Sequence, residues 1–498
     1  MSVPLSRRLC GLAANPALPA DLLDRLIAVA DDEACLELAD RDGLSPSQRR
    51  TLAVRGGTHT VIRLARRGLV AAADVDRADP PVALTLLDVG GAPGSWAYAM
   101  SGHPDPSVRA GVAAADHVPV DVLRALADDP DTAVVAEAAQ SRAMPADVIG
   151  RLVRHPHVAV RRAVAANETT PAPLLAALGA EGALPTARFC FGCDGTADPP
   201  AGSRCHGGHE DALANLQYAL VVNPATPSDV VAVHLDHPAT WVRWAVAERQ
   251  DLPAEVYRRL ALDRIPSVRG AVAANPAIGE SLIRLMAGDD NDEVRRRLAH
   301  NPNVPLDVLA AIAPVTSIGA TLLPRIAAAT PDEITQLARS PVAAVRMLLA
   351  ERPDLPAAIV NLLAEDPDAK VLKSLAPNPT LTEQQLRTMV AGHGARVIAR
   401  VARNATCSPG LLYDLAAHVP AVQKAYRVIA SHPNANAATL MLCLLDQQAR
   451  PVAARHPALP AATIAELLDD PDGRVAEAAA ANPSLPRAAM QILLGAGG

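Results

Sequence analysis

The sequence predicts an all-α fold, a solenoid of about 18 helical repeats of about 26 residues, interrupted by one inserted metal-binding knuckle. Three observations support this prediction. The chain has 498 residues, whereas a single hydrophobic core stops growing at roughly 250–300 residues. Half of the residues are hydrophobic and only 2% are aromatic, so small and aliphatic side chains must form the core. A short motif, Asn-Pro-x-hydrophobic-Pro, recurs at a nearly constant interval.

The motif marks the start of each predicted repeat. It is complete at 15–19, 223–227, 301–305 and 482–486, with degenerate copies between. Each interval predicts two short helices, either both α or one α and one 3₁₀. The first helix begins near the anchor proline, whose fixed φ suits a first helical turn. An acidic turn and the pattern Val-Arg-x-x-Val/Leu-Ala follow. Neither helix would be stable alone, so neighbouring repeats must stack.

Two polar residue types occupy fixed positions in the repeat. Arginine recurs in the second helix, and acids occupy a neighbouring column in the preceding turn. We interpret both columns as ladders of hydrogen bonds between repeats, the alternative for arginine being a basic stripe that binds phosphate. The arginine column is Arg109, Arg161, Arg243, Arg269, Arg295 and Arg346. The asparagine column is Asn15, Asn167, Asn223, Asn275, Asn301, Asn378, Asn404 and Asn482.

One interval is irregular. The motifs at 167 and 223 are two periods plus about four residues apart, or one period plus an insertion of about 30 residues. The interval contains a cluster of potential metal ligands: Cys190, Cys193, Cys205 and His209, with His206 as an alternate ligand. A Cys-x₂-Cys pair followed by a cysteine and a histidine is typical of a structural zinc site.

Zinc is favoured over an iron–sulfur cluster, because a cluster usually takes four cysteines. A structural site is favoured over a catalytic one, since a closed set of four ligands leaves no open position. The competing interpretation is chance clustering in an unstructured loop.

Aromatic residues concentrate around the same segment. Phe189 and Phe191 flank the first cysteine, and Tyr218, Trp241 and Trp244 lie in the repeats that follow. They either pack the metal module onto the solenoid or form a surface that binds a partner, since exposed Trp and Tyr are common in interface hot spots.

The repeat unit resembles a known family. The pattern D-P-D-x-x-V-R-x-x-V-A-x-N-P-x-x-P-x-x-x-L-x-x-L-A is similar to the leucine-rich repeat variant family of bacteria and, more distantly, to HEAT repeats. The resemblance implies a superhelix of alternating α- and 3₁₀-helices without a sheet, and it implies no activity. Some members carry an N-terminal iron–sulfur module, but this sequence has no cysteine cluster at its N-terminus.

We therefore predict four regions: diverged N-terminal repeats or a cap (1–114), regular repeats (115–186), the inserted Cys/His module (187–212), and regular repeats with a C-terminal cap (213–498). The predicted function is a non-catalytic scaffold that binds a protein or peptide and contains a structural zinc. The alternatives are an enzyme that uses the 190–209 centre and a HEAT-like nucleic-acid-binding protein.

Charge and segment composition restrict the partners and the location. The 46 basic and 53 acidic residues give a net charge of −7, which argues against nucleic acid. No apolar stretch is long enough to suggest a membrane helix, and the first residues do not match a signal peptide. We expect a cytoplasmic protein, and the excess of Arg over Lys is typical of a GC-rich bacterial genome.

Overall fold

A computed structural model describes residues 5–180, 184 and 211–495. Within these ranges the chain forms 35 α-helices, with 3₁₀ turns at Ala72–Asp74, Ala313–Val315 and Gly394–Arg396, and no β-strand. The all-helical prediction is therefore confirmed for the described residues, and both helices of most repeats are α. No helix in these ranges has the length and hydropathy needed to cross a bilayer.

The chain divides into two compact units, and each is described by itself. The first consists of residues 1–64 together with 305–498, and the second consists of residues 65–304. The helices of the second unit are α6 (Pro80–Asp88), α7 (Ser95–Ser101), α8 (Pro106–Ala114), α9 (Val120–Leu126), α10 (Thr132–Gln140), α11 (Ala146–Leu152), α12 (Val158–Ala166), α13 (Ala172–Gly179), α14 (Ala212–Val222), α15 (Ser228–Ala232), α16 (Thr240–Glu248), α17 (Ala254–Leu260), α18 (Pro266–Ala274), α19 (Glu280–Met286) and α20 (Asp292–Ala299).

The helices of the first unit come from both ends of the chain. Helix α5 begins in this unit and ends two residues beyond its boundary. The helices are α1 (Leu5–Ala13), α2 (Ala20–Val29), α3 (Asp32–Ala39), α4 (Pro46–Arg55), α5 (Gly57–Arg66), α21 (Leu306–Ile312), α22 (Pro324–Ala327), α23 (Pro331–Ala338), α24 (Ala343–Ala350), α25 (Ala357–Ala364), α26 (Ala369–Leu375), α27 (Glu383–His393), α28 (Ile398–Val401), α29 (Pro409–Ala416), α30 (Gln423–Ala430), α31 (Ala437–Cys443), α32 (Arg450–Arg455), α33 (Ala461–Leu467), α34 (Gly473–Ala480) and α35 (Arg487–Gly495).

Helices in each unit alternate between two rows. In the second unit, the even-numbered helices from α8 to α20 form one stack, and most of them contain the Val-Arg pattern. We call this stack the Val-Arg row. The odd-numbered helices α9 to α19 follow the anchor motifs, and we call these helices, together with the corresponding helices α2, α21, α23, α25, α27, α29, α31, α33 and α35 of the first unit, the anchor row. In the first unit the Val-Arg row consists of α24, α26, α28, α30, α32, α34, α1 and α3.

Prolines and acids begin the helices. The anchor prolines Pro119, Pro145 and Pro253 lie at the N-cap, one position earlier than a first helical residue, in an extended conformation. An acid follows in the first turn, as predicted, where it meets the positive end of the helix dipole. At the start of Val-Arg helices, Asp105 and Asp131 accept hydrogen bonds from backbone N–H groups two residues on, each at 2.8 Å. These local contacts explain why helices of seven to nine residues begin where they do.

The asparagine column forms the predicted ladder. The side-chain amide of Asn301 donates to the carbonyl oxygens of Ala273 (2.9 Å) and Asn275 (2.8 Å) in the preceding repeat. Its oxygen accepts from the backbone N–H of Asn303 (2.9 Å), which closes the turn before the next helix. Because the amide is fully buried, each asparagine satisfies carbonyls that would otherwise lack partners.

The ladder also resolves the irregular interval. Asn223 donates to the carbonyls of Ala165 (2.7 Å) and Asn167 (2.9 Å), the same positions that any asparagine contacts in the repeat before it. Leu216 and Leu220 of α14 pack in one cluster with Val158 of α12. The repeats at 167 and 223 are therefore direct neighbours, and the interval is one period plus an insertion.

The first and last repeats of the first unit are joined by the same ladder. Asn15 donates to the carbonyls of Ala480 (2.9 Å) and Asn482 (2.7 Å). Helix α1 packs against α34, and α2 packs against α35. Gly11 allows this approach, because a Cβ there would overlap the carbonyl oxygen of Glu477. The first repeat thus occupies the position that would follow the last repeat.

The arginine column forms a second ladder, but its acidic partner lies ahead rather than behind. Arg269 donates from Nη1 to the carbonyl of Asp263 in the preceding turn (2.9 Å) and from Nε to Asp289, which is 20 residues on (2.7 Å). The same spacing pairs Arg109 with Asp129 and Arg346 with Asp366. The ladder interpretation is confirmed for these positions.

Candidate partner-binding face

In most Val-Arg helices, three columns of residues are exposed or half-buried. They lie eight, five and one residues before the first residue of the next anchor motif. On α14 these residues are Asn215, Tyr218 and Val222, of which Val222 is 51% exposed. We call these three positions the outward columns of the Val-Arg row.

Three of the five predicted aromatic residues lie on two neighbouring helices, in the columns just described. Trp241 and Trp244 occupy the first two columns of α16, and Tyr218 occupies the second column of α14, the neighbouring helix. Trp241 is 40% exposed, while Tyr218 and Trp244 are half-buried. We call Tyr218, Val222, Trp241 and Trp244 the aromatic face.

The next helix places small residues beside these rings. The equivalent positions on α18 are Ser267 and Gly270. The Arg297 side chain lies close over Gly270: a Cβ at position 270 would be only 2.8 Å from the Arg297 Cδ. The Nε of Arg297 donates to Glu293 at 3.0 Å. The aromatic face is therefore bordered by two small residues, Ser267 and Gly270, and then by the ion pair of Arg297 with Glu293.

A carboxyl group lies at the edge of the aromatic face. Burial raises the pKa of Glu248, and the nearby Arg297 opposes this shift. Glu248 occupies the third outward column of α16, beyond Trp244. The face thus combines aromatic rings, which are enriched in the centres of protein interfaces, with one carboxyl group at its edge.

The predicted metal ligands Cys190, Cys193, Cys205, His206 and His209 lie outside the described residues, as do Phe189 and Phe191. Elsewhere, the described ranges contain no group of three or more His, Cys, Asp or Glu side chains that could bind a metal ion. In the sequence, these residues lie between α13 and α14, the helix that carries Tyr218.

The remaining cysteines are structural. Cys10, Cys35, Cys407 and Cys443 are buried and free. Burial raises the pKa of Cys10 and of Cys443 to about 12. Because a reactive thiol requires an accessible thiolate, none of these four is a candidate nucleophile.

The sequence reasoning missed a second group of surface residues. The outward columns of the first unit are rich in basic side chains, including Lys370, Lys373 and Lys424, the only lysines in the chain. The clustering of these lysines within 55 residues was the available signal. The negative net charge of the whole chain concealed it.

Comparisons with known proteins concern the fold. No family model and no curated protein matches the chain. Similar solved structures include a leucine-rich repeat variant with a novel repetitive structural motif, at 19% identity and a TM-score of 0.28 over 52% of this chain and 87% of that chain. They also include an engineered protein, at 16% identity and a TM-score of 0.17 over 96% and 98% of the two chains. Importin beta is similar at 11% identity and a TM-score of 0.21 over 90% of this chain and 59% of that chain.

The leucine-rich repeat variant that the sequence resembles is thus among the similar structures. At these identities and TM-scores the likenesses carry no functional inference. The candidate function depends on the contacts and exposed residues of this chain.

Proposed function

We propose that this chain is a non-catalytic scaffold that binds a protein or peptide across the aromatic face. The exposure of Trp241 is the observation that carries the proposal. The repeat does not require rings in these columns, because the equivalent positions on α18 are Ser267 and Gly270. A tryptophan kept in water costs free energy unless a partner covers it, and the three aromatic residues lie on neighbouring helices.

The shape of the face favours an extended or helical segment of a partner over a small molecule. The rings stand beside a strip of small residues, so an apolar side chain of a partner could lie against Trp241 and over Ser267. Large rings with one nearby acceptor, Glu248, are the residue types that dominate interface energetics.

A peptide-display selection against the full chain tests this proposal. Ligands from the selection would be titrated by fluorescence anisotropy against wild type, Trp241→Ala and Trp244→Ala. Loss of a hot-spot ring should raise Kd by about 30-fold, which corresponds to about 2 kcal/mol. Leu262→Ala is the matched control, because Leu262 is 75% exposed in the same unit but follows an anchor-row helix. Ligands that bind both Trp variants as tightly as wild type would place the binding face elsewhere.

We propose further that Cys190, Cys193, Cys205 and His209 bind a structural zinc ion. The support is the spacing of thiol and imidazole groups in the sequence, in a segment too rich in Gly and Pro to form a core of its own. Elemental analysis of purified wild type should find one zinc per chain, and Cys190→Ser and Cys193→Ser should lose it. Cys35→Ser, which removes a cysteine outside the cluster, should retain it. A wild-type protein without metal would contradict the proposal.

A further inference from the structure

The outward columns of the Val-Arg row in the first unit carry an unusual concentration of basic residues. Between α26 and α34, eight basic residues occupy the three columns, and a ninth, Arg400, is adjacent in sequence to a column position. They are Lys370, Lys373, Arg396, Arg400, Arg403, Lys424, Arg427, Arg455 and Arg474. We call these residues the basic face.

Most of this charge is not used inside the protein. Arg400 pairs with Glu351 at 3.3 Å, and Arg474 pairs with Asp472 at 2.8 Å. The other seven form no ion pair with a carboxylate in the part of the chain that the structure describes. Six of the seven are exposed, and Lys373 is half-buried. This differs from the ladder arginines, which are buried against an aspartate of the next repeat.

Three cavities of the first unit lie along the basic face. Lys370 and Lys373 line one of about 740 Å³. Arg403, Lys424 and Arg427 line the next, of about 950 Å³. A third cavity has a volume of about 690 Å³. Ser431 lines both the second and the third cavity, so these two cavities adjoin one another.

Basic side chains line the third cavity as well. They are Arg455 and Arg474, and the acids Glu37 and Glu477 also line this cavity. The acids that border the face elsewhere are Asp368 in the first cavity and Asp446 in the second. Basic side chains outnumber acids along the face, so the surface has a positive potential that favours an anionic partner.

Apolar side chains lie between the charges. Leu445, which is 83% exposed, and Val428 line the second cavity together with Lys424 and Arg427. Pro451 and Val452 line the third. A nucleic-acid backbone has no apolar group to fill such positions, and unpaired bases would need rings for stacking.

The aromatic residues near this face do not supply those rings. Tyr413 lies on α29 in the anchor row, and Tyr426 is half-buried on α30. A mixture of basic and apolar side chains around cavities fits a peptide that carries both acidic and apolar residues.

We infer that the basic face is a docking surface for an acidic peptide segment with interspersed apolar residues. Lys370, Arg396 and Lys424 occupy the same column on successive rungs of the stack. Packed helices lie about 8–10 Å apart, and a polyproline II segment advances about 9 Å in three residues and returns to the same side. An acid at every third residue of the partner therefore meets successive rungs.

The inference rests on the proposed function in that both treat the chain as a peptide-binding scaffold, but the two surfaces are different. The probe is a fluorescein-labelled peptide of repeated Glu-Leu-Pro, titrated into the full chain by anisotropy. The comparison ligands are repeated Gln-Leu-Pro, repeated Glu-Ser-Pro and a short labelled DNA duplex.

The variant Lys424→Glu with Arg427→Glu should raise Kd for Glu-Leu-Pro by at least about tenfold, because two attractive contacts become repulsive. The control is Arg339→Glu with Arg25→Glu, which makes the same change in charge at two exposed arginines of the first unit, at the end of α23 and on α2. It should change Kd by less than about twofold, since neither arginine lines any of the three cavities of the basic face.

The outcomes separate the two proposals. Tighter binding of Glu-Leu-Pro than of the other three ligands, lost in the basic-face variant and unchanged in Trp241→Ala, supports the inference. Preferential binding of the DNA, or binding equal in both charge variants, overturns it. If Glu-Leu-Pro does not bind while display-selected peptides bind through Trp241, the inference fails and the proposed function stands.

Discussion

Two neighbouring asparagines provide a matched test of the ladder. In Asn404 the side-chain amide donates to the carbonyls of Ala376 (2.7 Å) and Asn378 (2.8 Å) of the preceding repeat. In Asn378 the equivalent distances, to Arg352 and Pro353, are both 3.4 Å. Within their own turns the two residues make the same contacts, since each oxygen accepts from the backbone N–H and the hydroxyl of a threonine two residues on.

Substitution by alanine should therefore cost more at 404 than at 378. Both variants lose the contacts within the turn, but only Asn404→Ala loses two short bonds between repeats. At about 1 kcal/mol of net stability for each hydrogen bond, the difference is about 2 kcal/mol. Because repeat arrays unfold in segments, the measurement is hydrogen exchange of amides in α26–α29.

The expected result is a loss of protection about 30-fold greater in Asn404→Ala than in Asn378→Ala, the equivalent of 2 kcal/mol. Equal losses in the two variants would refute the view that bonds between repeats, and not the turn contacts, give the asparagine column its role.

Two other predictions concern packing and charge. Gly11→Ala should destabilise the first unit by about 1–3 kcal/mol, because the new methyl group would overlap the carbonyl of Glu477 in α34. Urea unfolding measures this loss of stability. The control Gly150→Ala, where the added Cβ has open space around it, should unfold at nearly the same urea concentration as wild type. For Asp263, burial raises the pKa, but hydrogen bonds from Arg243 and a backbone N–H more than offset this, so the pKa is lowered. Its contribution to stability is thus present above about pH 4 and lost as the pH falls further. Asp263→Asn should cost about 3 kcal/mol at about pH 7. At about pH 3, about one unit below the pKa of an unfolded aspartate, the cost should be smaller by up to about 1 kcal/mol, and an equal cost at both pH values would contradict the pairing.

The local features of the fold were predictable from the sequence, because they depend on residues close together in the chain. Proline removes an N–H and fixes φ, so the anchor motif locates helix starts to within one residue. The direction of the arginine pairs was not predictable. Arg269 has an acid both in the turn before it and 20 residues ahead, and only the offset between stacked helices selects Asp289. Periodicity gives the length of a repeat and contains no information on this offset.

The sequence also contains an indication of the contact between the first and last repeats of the first unit. Asn15 belongs to the asparagine column, whose other members bond to the preceding repeat. Its own amide donates to the carbonyls of Ala480 and Asn482 in the last repeat, so the same side chain makes the same type of contact there. The partner-binding part of the candidate site was only partly predictable, since the exposure of Trp241 depends on which face of α16 contacts α14 and α18.

The two ladders also explain how a binding surface can be recognised in such a chain. Arginine makes up 43 of the 46 basic residues, and much of it stabilises the stack, as Arg243 does with Asp263 at 2.7 Å. The number of arginines therefore says little about partners. A basic residue is informative where it occupies an outward column and forms no ion pair with a carboxylate of the described residues, as is the case for Lys424 and Arg427. The inferred acidic partner therefore depends on the placement of these side chains in outward columns and on their lack of ion pairs within the stack, and not on the number of basic residues in the chain.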